Sequence, residues 1–260
     1  MDVGSFETVE VTLSGHVLTI TLNRPQALNS FNRAMLDEFT RLWAFAATED
    51  DVHVIVLRAN GDRAFSTGAD VKEGYQLHEN PFSRTDPGAH LSPKLNHCWK
   101  PLICAVHGMV AGGALYWLNE ADVIIAADDA QFFDPHVSYG LVAALEPIGL
   151  VRRIPIGEVL RMTLLGLDER MSARRALEIG FVTEVLPREQ LWDRAAQLAA
   201  RIAAKPPVAV QGSVRAIRES LDSTRSHALA TGLSYTDIGN PISTQQVTRS
   251  EVRHDGFDVR

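Results

Sequence analysis

Two short stretches put glycine between an extended run and what reads as the start of a helix: "FSTGADVKE" at 65–73 and "HGMVAGGAL" at 107–115. N–H groups at a helix start have no intrahelical acceptor and lie at the positive end of the dipole, so they attract negative charge. Glycine lets that backbone approach a ligand with no Cβ in between. Two such turns, brought together, would hold one anionic oxygen from both sides. Neither has the Gly-Lys-Ser/Thr ending of a phosphate loop or the spacing of a dinucleotide fingerprint.

Titratable groups follow the second turn: Tyr116 three residues past Gly113, His136 in "DPHVSYG" and Glu146 in "ALEPIGL". The spacing keeps Tyr116 on the helical face of Gly113. A phenol of pKa about 10 donates hydrogen bonds but is a poor base at neutral pH, whereas an imidazole near about 6.5 can take a proton there. Pro147 suits a first helical turn, which puts Glu146 at or near the N-cap, where the dipole favours the ionised carboxylate and makes it an orienter of an imidazolium. Each residue also has a plain structural reading: Tyr116 as pocket filler, His136 as a group bonded to backbone, Glu146 as a helix cap. His107 reads as structural, and Asp122 as an anchor for backbone at the head of a strand.

These residues need a frame. Val9, Val11 and Leu13 alternate with polar residues, Ser14–Gly15 reads as a turn, and Leu18, Ile20 and Leu22 alternate again, predicting a hairpin. A helix capped by Asn29 or Ser30 follows, with Met35, Phe39, Leu42 and Trp43 on one face. Extended runs at 52–59, 102–106, 122–127 and 182–186 alternate with helical stretches, which implies crossovers and a largely parallel sheet. The segment 75–94 is long for a loop and rich in breakers, as expected of a functional segment. Beyond residue 187 only helices are predicted: one with Leu191, Ala195, Leu198 and Ile202 on a stripe, then others at about 208–222 and 242–254. The reading is therefore an α/β core over 1–187 and a helical region over 188–260.

With 260 residues, 45% of them hydrophobic, the chain can bury a sizeable core. Its net charge of −7 argues against a phosphate-neutralising surface and hence against nucleic acid. Two cysteines, Cys98 and Cys104, support neither a disulfide framework nor a four-ligand zinc site. The acidic start "MDVGSFETVEVTL" lacks the basic and apolar regions of a secretory signal, and no apolar run reaches the roughly 18 residues of a membrane span. A cytoplasmic protein is expected.

The stretches "LNRPQALNSFN" (22–32), "AFSTGADVKE" (64–73), "KPLICAVHGMVAGGAL" (100–115), "ADVIIAADDAQFFDP" (121–135) and "MSARRALEIGFVTEVLP" (171–187) together resemble the crotonase, or enoyl-CoA hydratase/isomerase, superfamily, in order and over most of the chain. The resemblance implies a crotonase-like spiral core of repeated ββα units, a C-terminal helical trimerisation region, trimers or dimers of trimers, and an acyl-CoA thioester substrate. Coenzyme A would arrive as part of that substrate, with no metal and no covalently bound cofactor. It further implies that the backbone amides of Ala69 and Gly113 receive the thioester oxygen, whose developing charge preorganised donors stabilise. Arg24, Ala27, Leu28, Ser66, Gly68, Asp70 and Val71 would lie along the CoA. "SEVRHDGFDVR" at 250–260 resembles the start of the family's final helix.

A hydratase of this family carries two glutamates at the positions held here by Tyr116 and His136. Their absence points away from simple hydration and toward double-bond isomerisation or carbon–carbon hydrolysis of a β-keto acyl-CoA, with His136, paired with Glu146, moving the proton and Tyr116 donating to substrate. The alternatives are a non-catalytic acyl-CoA-binding relative, a hydratase with atypical residues, and a shared fold with a substrate that is not a CoA ester. Trp117, Leu141, Val142 and Leu145 hint at a bulky apolar acyl chain.

Overall fold

The alternating runs at the start of the chain form β1 (Val9–Ser14) and β2 (Val17–Leu22), an antiparallel hairpin. Its turn is Gly15–His16, one residue later than expected, with both φ angles positive at 56° and 64°. Two such residues give the turn the twist of the strands it joins. The computed structural model describes residues 5–73, 80, 82, 86–248, 250, 252, 258 and 259.

The helix α1 (Arg33–Thr48) is capped not by Asn29 or Ser30 but by Asn32, whose side chain accepts from the Met35 N–H at 3.1 Å. Asn29 is held elsewhere: buried, it donates to the carbonyls of Asn60 and Ala64 and accepts from the Arg24 N–H. Tied to three backbone groups across two loops, Asn29 lies four residues before the first helical residue, Arg33, and so has no helix end to cap.

Three successive units then build two sheets. Each sends one strand to a large sheet and the next, shorter one to a small sheet: β3 (Val54–Ala59) and β4 (Ala64–Ser66), β5 (Leu102–Val106) and β6 (Met109–Ala111), β7 (Val123–Ala127) and β8 (Gln131–Phe133). Completed by β9 (Met171–Ser172) and β10 (Glu184–Leu186), the orders are β1-β2-β3-β5-β7-β10 and β4-β6-β8-β9. All pairings but β1–β2 and β8–β9 are parallel, so each return requires a crossover. Between and after the strands lie α2 (Leu115–Glu120), α3 (Leu145–Leu150), α4 (Ile156–Leu165) and α5 (Ala173–Glu178).

Period-two alternation divides the large sheet. Ile55, Leu57, Leu102 and Cys104 join the core with Met35, Phe39, Leu42 and Trp43 of α1. Val54, Val56, Ile103 and Ile125 point the other way, onto α6 (Leu191–Ala203). The buried line on α6 is Leu191, Ala195, Ala199 and Ala203, with Leu198 and Ile202 on its flank, because the alanines let the helix approach the strands closely. The first helix of the 188–260 region thus closes the second face of the sheet. Trp117 is fully buried against Phe31, Phe39 and Phe65, so it is core rather than pocket lining.

The last two helices, α7 (Pro207–Ser220) and α8 (Arg225–Ser243), pack on each other. The helix expected at 242–254 in fact lies earlier, as α8, whose serines, threonines and glycines weaken helix propensity and hid it from the sequence. Positions 249, 251, 253 and 254 of that expectation fall outside the described residues. Arg218 on α7 grips the end of α2, donating to the carbonyls of Asn119 (3.0 Å), Glu120 (2.9 Å) and Ala121 and to Asp122 (3.0 Å). Arg153 adds bonds to the Asn119 and Ala121 carbonyls. Asp122 anchors backbone as expected, accepting from the Leu102 N–H at 2.8 Å, and it also pairs with Lys94. Among the described residues no helix is long and apolar enough to cross a membrane.

Candidate active site

The two glycine turns meet. After β4, the buried Ser66 hydroxyl accepts from the Gly68 N–H at 3.2 Å. Phe31 bridges the turn in parallel fashion, donating to the Gly68 carbonyl at 2.8 Å and accepting from the Asp70 N–H at 2.9 Å. That ladder fixes the residues on either side of Ala69 and makes no use of Ala69's own N–H. Gly113 is the second residue of a 3-10 turn, Gly112–Ala114, so its N–H has no intrahelical acceptor.

A Cβ at Gly68, where φ is +85°, would stand 2.6 Å from the Gly113 nitrogen, and one at Gly113 would stand 2.5 Å from Phe31 Cε1. Both glycines are therefore required by contact between the turns, not only by their conformation. The helix expected after the first turn begins as a turn at 71–73, and residues 74–79 lie outside the described residues.

His136 opens a 3-10 turn after β8, with its Cε1 3.8 Å from where a Gly112 Cβ would be, so the imidazole borders the second glycine turn. Its Nδ1 lies 2.6 Å from Asp134 Oδ1, which also accepts the His136 N–H at 3.0 Å. A carboxylate only accepts, so Nδ1 carries the proton and Nε2 is the basic nitrogen of the neutral ring. Nε2 stands 3.9 Å from Glu146 Oε1, beyond hydrogen-bond reach. The hydrogen bond to Asp134 raises the His136 pKa above its ordinary 6.5 against the opposing effect of burial, with further help from the charges of Asp134 and Glu146.

Glu146 is one residue inside α3, whose N-cap is Ala144. The helix dipole does not decide its ionisation. Burial dominates, and together with the negative charges of Asp134 and Asp86 it pushes Glu146 above the usual carboxylate range. Glu146 is thus a better base than its helix position implied. Its carbonyl accepts from Asn119 Nδ2 at 2.9 Å, and Gly149 packs directly on that amide, which locks α3 to α2.

Tyr116 directs its hydroxyl at Asp86 Oδ1, 2.9 Å away, and its ring covers Gly88. In this structure the hydroxyl thus donates to a carboxylate, and the described turn at 86–91 packs on the ring through Gly88. Asp86 also caps the 3-10 turn Pro87–Leu91. Positions 75–79, 81 and 83–85 of the segment expected to be functional lie outside the described residues.

On the other side, Arg24 is engaged within the fold, donating to Asp70 at 3.0 Å and to the Ser30 carbonyl at 2.5 Å. Burial is the largest single influence and works against the Asp70 charge, but the hydrogen bonds from Arg24 and the Lys72 N–H and the charges of both residues together outweigh it and hold the carboxyl below its ordinary range. Ala27 ends a 3-10 turn, Leu28 follows at φ 54°, and Val71 is exposed. His107 is buried with Nε2 2.9 Å from the Gly61 carbonyl, the structural role expected of it.

Sequence reasoning passed over Asp134, Asp86 and Asn119. Both aspartates had a signal in common: each precedes proline, in "FFDPH" and "TDPG", where the chain is pushed to extended backbone and then turns. A cavity of about 980 Å³ opens at the far end of α2, lined by Asn119, Arg152, Arg201 and Lys205 among others, and contains none of Tyr116, His136 and Glu146. Among the described residues no group of three or more His, Cys, Asp or Glu is arranged to hold a metal ion.

Residues 12–252 match the enoyl-CoA hydratase/isomerase family. The chain is 33% identical to the (E)-benzylidenesuccinyl-CoA hydratase of Thauera aromatica, across 85% of this chain and 86% of that protein. It is 31% identical to the human mitochondrial Delta(3,5)-Delta(2,4)-dienoyl-CoA isomerase, across 95% of this chain and 78% of that protein. An enoyl-CoA hydratase/isomerase from Mycobacterium paratuberculosis superposes with a TM-score of 0.83 at 37% identity, covering 90% of each chain.

Proposed function

This chain belongs to the enoyl-CoA hydratase/isomerase family of crotonase-fold acyl-CoA enzymes, and we propose that within it the protein isomerises the double bond of an enoyl-CoA thioester by proton transfer. The observation that carries this reading is His136: Nδ1 is fixed by buried Asp134, and Nε2 faces Glu146 beside the second glycine turn.

The thioester oxygen sits against the N–H groups of Ala69 and Gly113. Neutral His136 removes a proton from the carbon next to the thioester. The electron pair moves onto the oxygen as an enolate, which the two N–H groups stabilise. The imidazolium returns the proton at the far end of the conjugated system, so the double bond shifts and no water is consumed. Glu146 stabilises the imidazolium and relays the proton. Tyr116 holds the 86–91 segment in place through Asp86.

CoA runs past Ala27, Leu28 and Val71, while Ser66, Gly68, Arg24 and Asp70 shape the turn that receives the thioester. A proton transfer needs no redox group, so CoA comes and goes with the substrate. Exposed Ile217, Leu229, Leu233 and Ile238 on α7 and α8 support assembly into trimers.

Hydration is the second reading, favoured by the 33% identity to a hydratase. The two are separated by supplying 3-hexenoyl-CoA and 2-hexenoyl-CoA to wild type and His136→Ala. Isomerisation predicts conversion of the 3-enoyl ester at a rate above hydration of the 2-enoyl ester, and a loss of about 10³-fold in the variant. Fast hydration with no shift of the double bond sinks the isomerase reading. Binding without turnover of either ester identifies a non-catalytic binder.

A further inference from the structure

Tyr116 and Asp86 sit on different elements, α2 and the turn Pro87–Leu91 that Asp86 caps. On the site side the two leave each other little room. Asp86 accepts from the Gly88 N–H and from the Tyr116 hydroxyl, each at 2.9 Å. Gly88 is buried against the phenol, where a Cβ would overlap Cζ, Cε1 and Cε2 of the ring. The other side of the turn is fastened to α1 through one residue, His90. Its carbonyl accepts from Trp43 Nε1 at 3.0 Å, and its Nδ1 lies 2.8 Å from Thr40 Oγ1. The Thr40 hydroxyl has a single proton, which goes to the Leu36 carbonyl at 3.0 Å. Oγ1 therefore accepts and His90 Nδ1 donates, which fixes the tautomer of the ring. Asn96 Nδ2 closes the exit of the turn, donating to the carbonyls of Ala89 and Ser92 at 2.8 Å each.

From this arrangement we infer that His90 is a positioning residue: by tying the 86–91 turn to α1, it sets where Asp86 and Tyr116 stand beside His136 and Glu146. The inference rests on the acyl-CoA reading above and deepens it. Thr40 and Trp43 lie three residues apart on one face of α1, so His90 is gripped at its ring and at its backbone by neighbouring positions. That helix is the fixed body of the pair. Met35, Phe39, Leu42 and Trp43 are fully buried, and a close-packed core does not let them shift. Without the bond to Thr40 the turn keeps its backbone bond to Trp43 and gains freedom to tilt about it. The contacts at its far end, Gly88 on the ring and Asp86 on the hydroxyl, then loosen. Glu146 feels the change as well. Burial, then the charges of Asp134 and Asp86, hold it above the usual carboxylate range, so a turn that drifts outward lets it ionise more readily. Small misplacement of groups in an acid/base site costs rate rather than affinity.

The test compares His90→Ala with His90→Asn, whose amide can donate from close to the place of Nδ1. Hydrogen exchange reads the turn without turnover, at Gly88 and Ala89, whose N–H groups both bond to Asp86. In parallel, kcat and KM are measured on whichever hexenoyl ester wild type converts. His90→Ala is expected to speed that exchange about 10-fold and to lower kcat about 5-fold, the worth of one hydrogen bond, with KM within about 2-fold of wild type. His90→Asn should restore both the exchange and kcat. Thr40→Val removes the acceptor from the α1 side, should reproduce His90→Ala, and takes its place if that variant does not fold. Unchanged exchange, faster exchange with kcat intact, or failure of His90→Asn to restore kcat each overturn the inference and leave the acyl-CoA reading standing. Turnover of neither ester by folded wild type sinks that reading and the role of His90 with it, while the exchange still reports whether His90 holds the turn.

Discussion

The site has two walls built on different principles. On the reading proposed above, the oxyanion wall is backbone: N–H groups of Ala69 and Gly113, on turns that touch each other and are packed against Phe31. The proposed acid/base wall is side chain: His136, Glu146, Asp134, Tyr116 and Asp86, on and beside short 3-10 and α turns. The first wall has one geometry, because moving either turn drives atoms into the other. The second is a set of side-chain partnerships between separate elements. Within a family that shares a fold, the first wall thus defines what is bound, and the second defines what is done to it.

Substitution at the first wall should do the most damage. Gly68→Ala places a Cβ 2.6 Å from the Gly113 nitrogen, and kcat is expected to fall about 10²–10³-fold, the loss typical of removing one oxyanion donor. Steady-state kinetics with KM within a few-fold of wild type would show that the hole, rather than CoA binding, was lost. Near-normal kcat would show that the turns do not act as a pair.

Asp134→Asn tests the second wall at its foundation. As a base His136 must be neutral, and its raised pKa means that kcat/KM should climb with pH through a midpoint above about 6.5. Removing the carboxylate takes away the main cause of that rise, so the midpoint should move to lower pH while the plateau drops about 10-fold from loss of ring orientation. A profile that keeps its midpoint would mean that another group titrates.

Tyr116→Phe should have the smallest effect. If the hydroxyl serves Asp86, its removal lowers kcat only a few-fold, as for one ordinary hydrogen bond. A loss near 10²-fold would instead restore the phenol as a donor to substrate and shift the boundary between the two walls.

The contrast also explains what could be read before the structure. Glycine reports on backbone, so the two glycine turns stand out in "FSTGADVKE" and "HGMVAGGAL". Strand alternation likewise showed the hairpin of β1 and β2. Side-chain partnerships come from the meeting of distant elements, and no local pattern shows that Tyr116 faces Asp86 thirty residues earlier. Glu146 illustrates the same limit: its helix position argued for a lowered pKa, whereas burial against α2 raises it. Asn29 was the right residue type for a helix cap but lost that role to Asn32 because loop contacts made elsewhere claimed its side chain.

Arg218 sets a clock on the assembly of the site. It holds the last carbonyls of α2, the helix that carries Tyr116, yet stands 98 residues after Glu120 in the chain. A ribosome adding about 5–20 residues per second leaves that helix end without its main clasp for about 5–20 s after Glu120 is made. Arg153 offers an earlier and smaller hold on two of the same carbonyls. The nascent protein therefore has both glycine turns in hand before the helix beside them is secured, and that helix end is completed by a residue of α7 made 98 residues later.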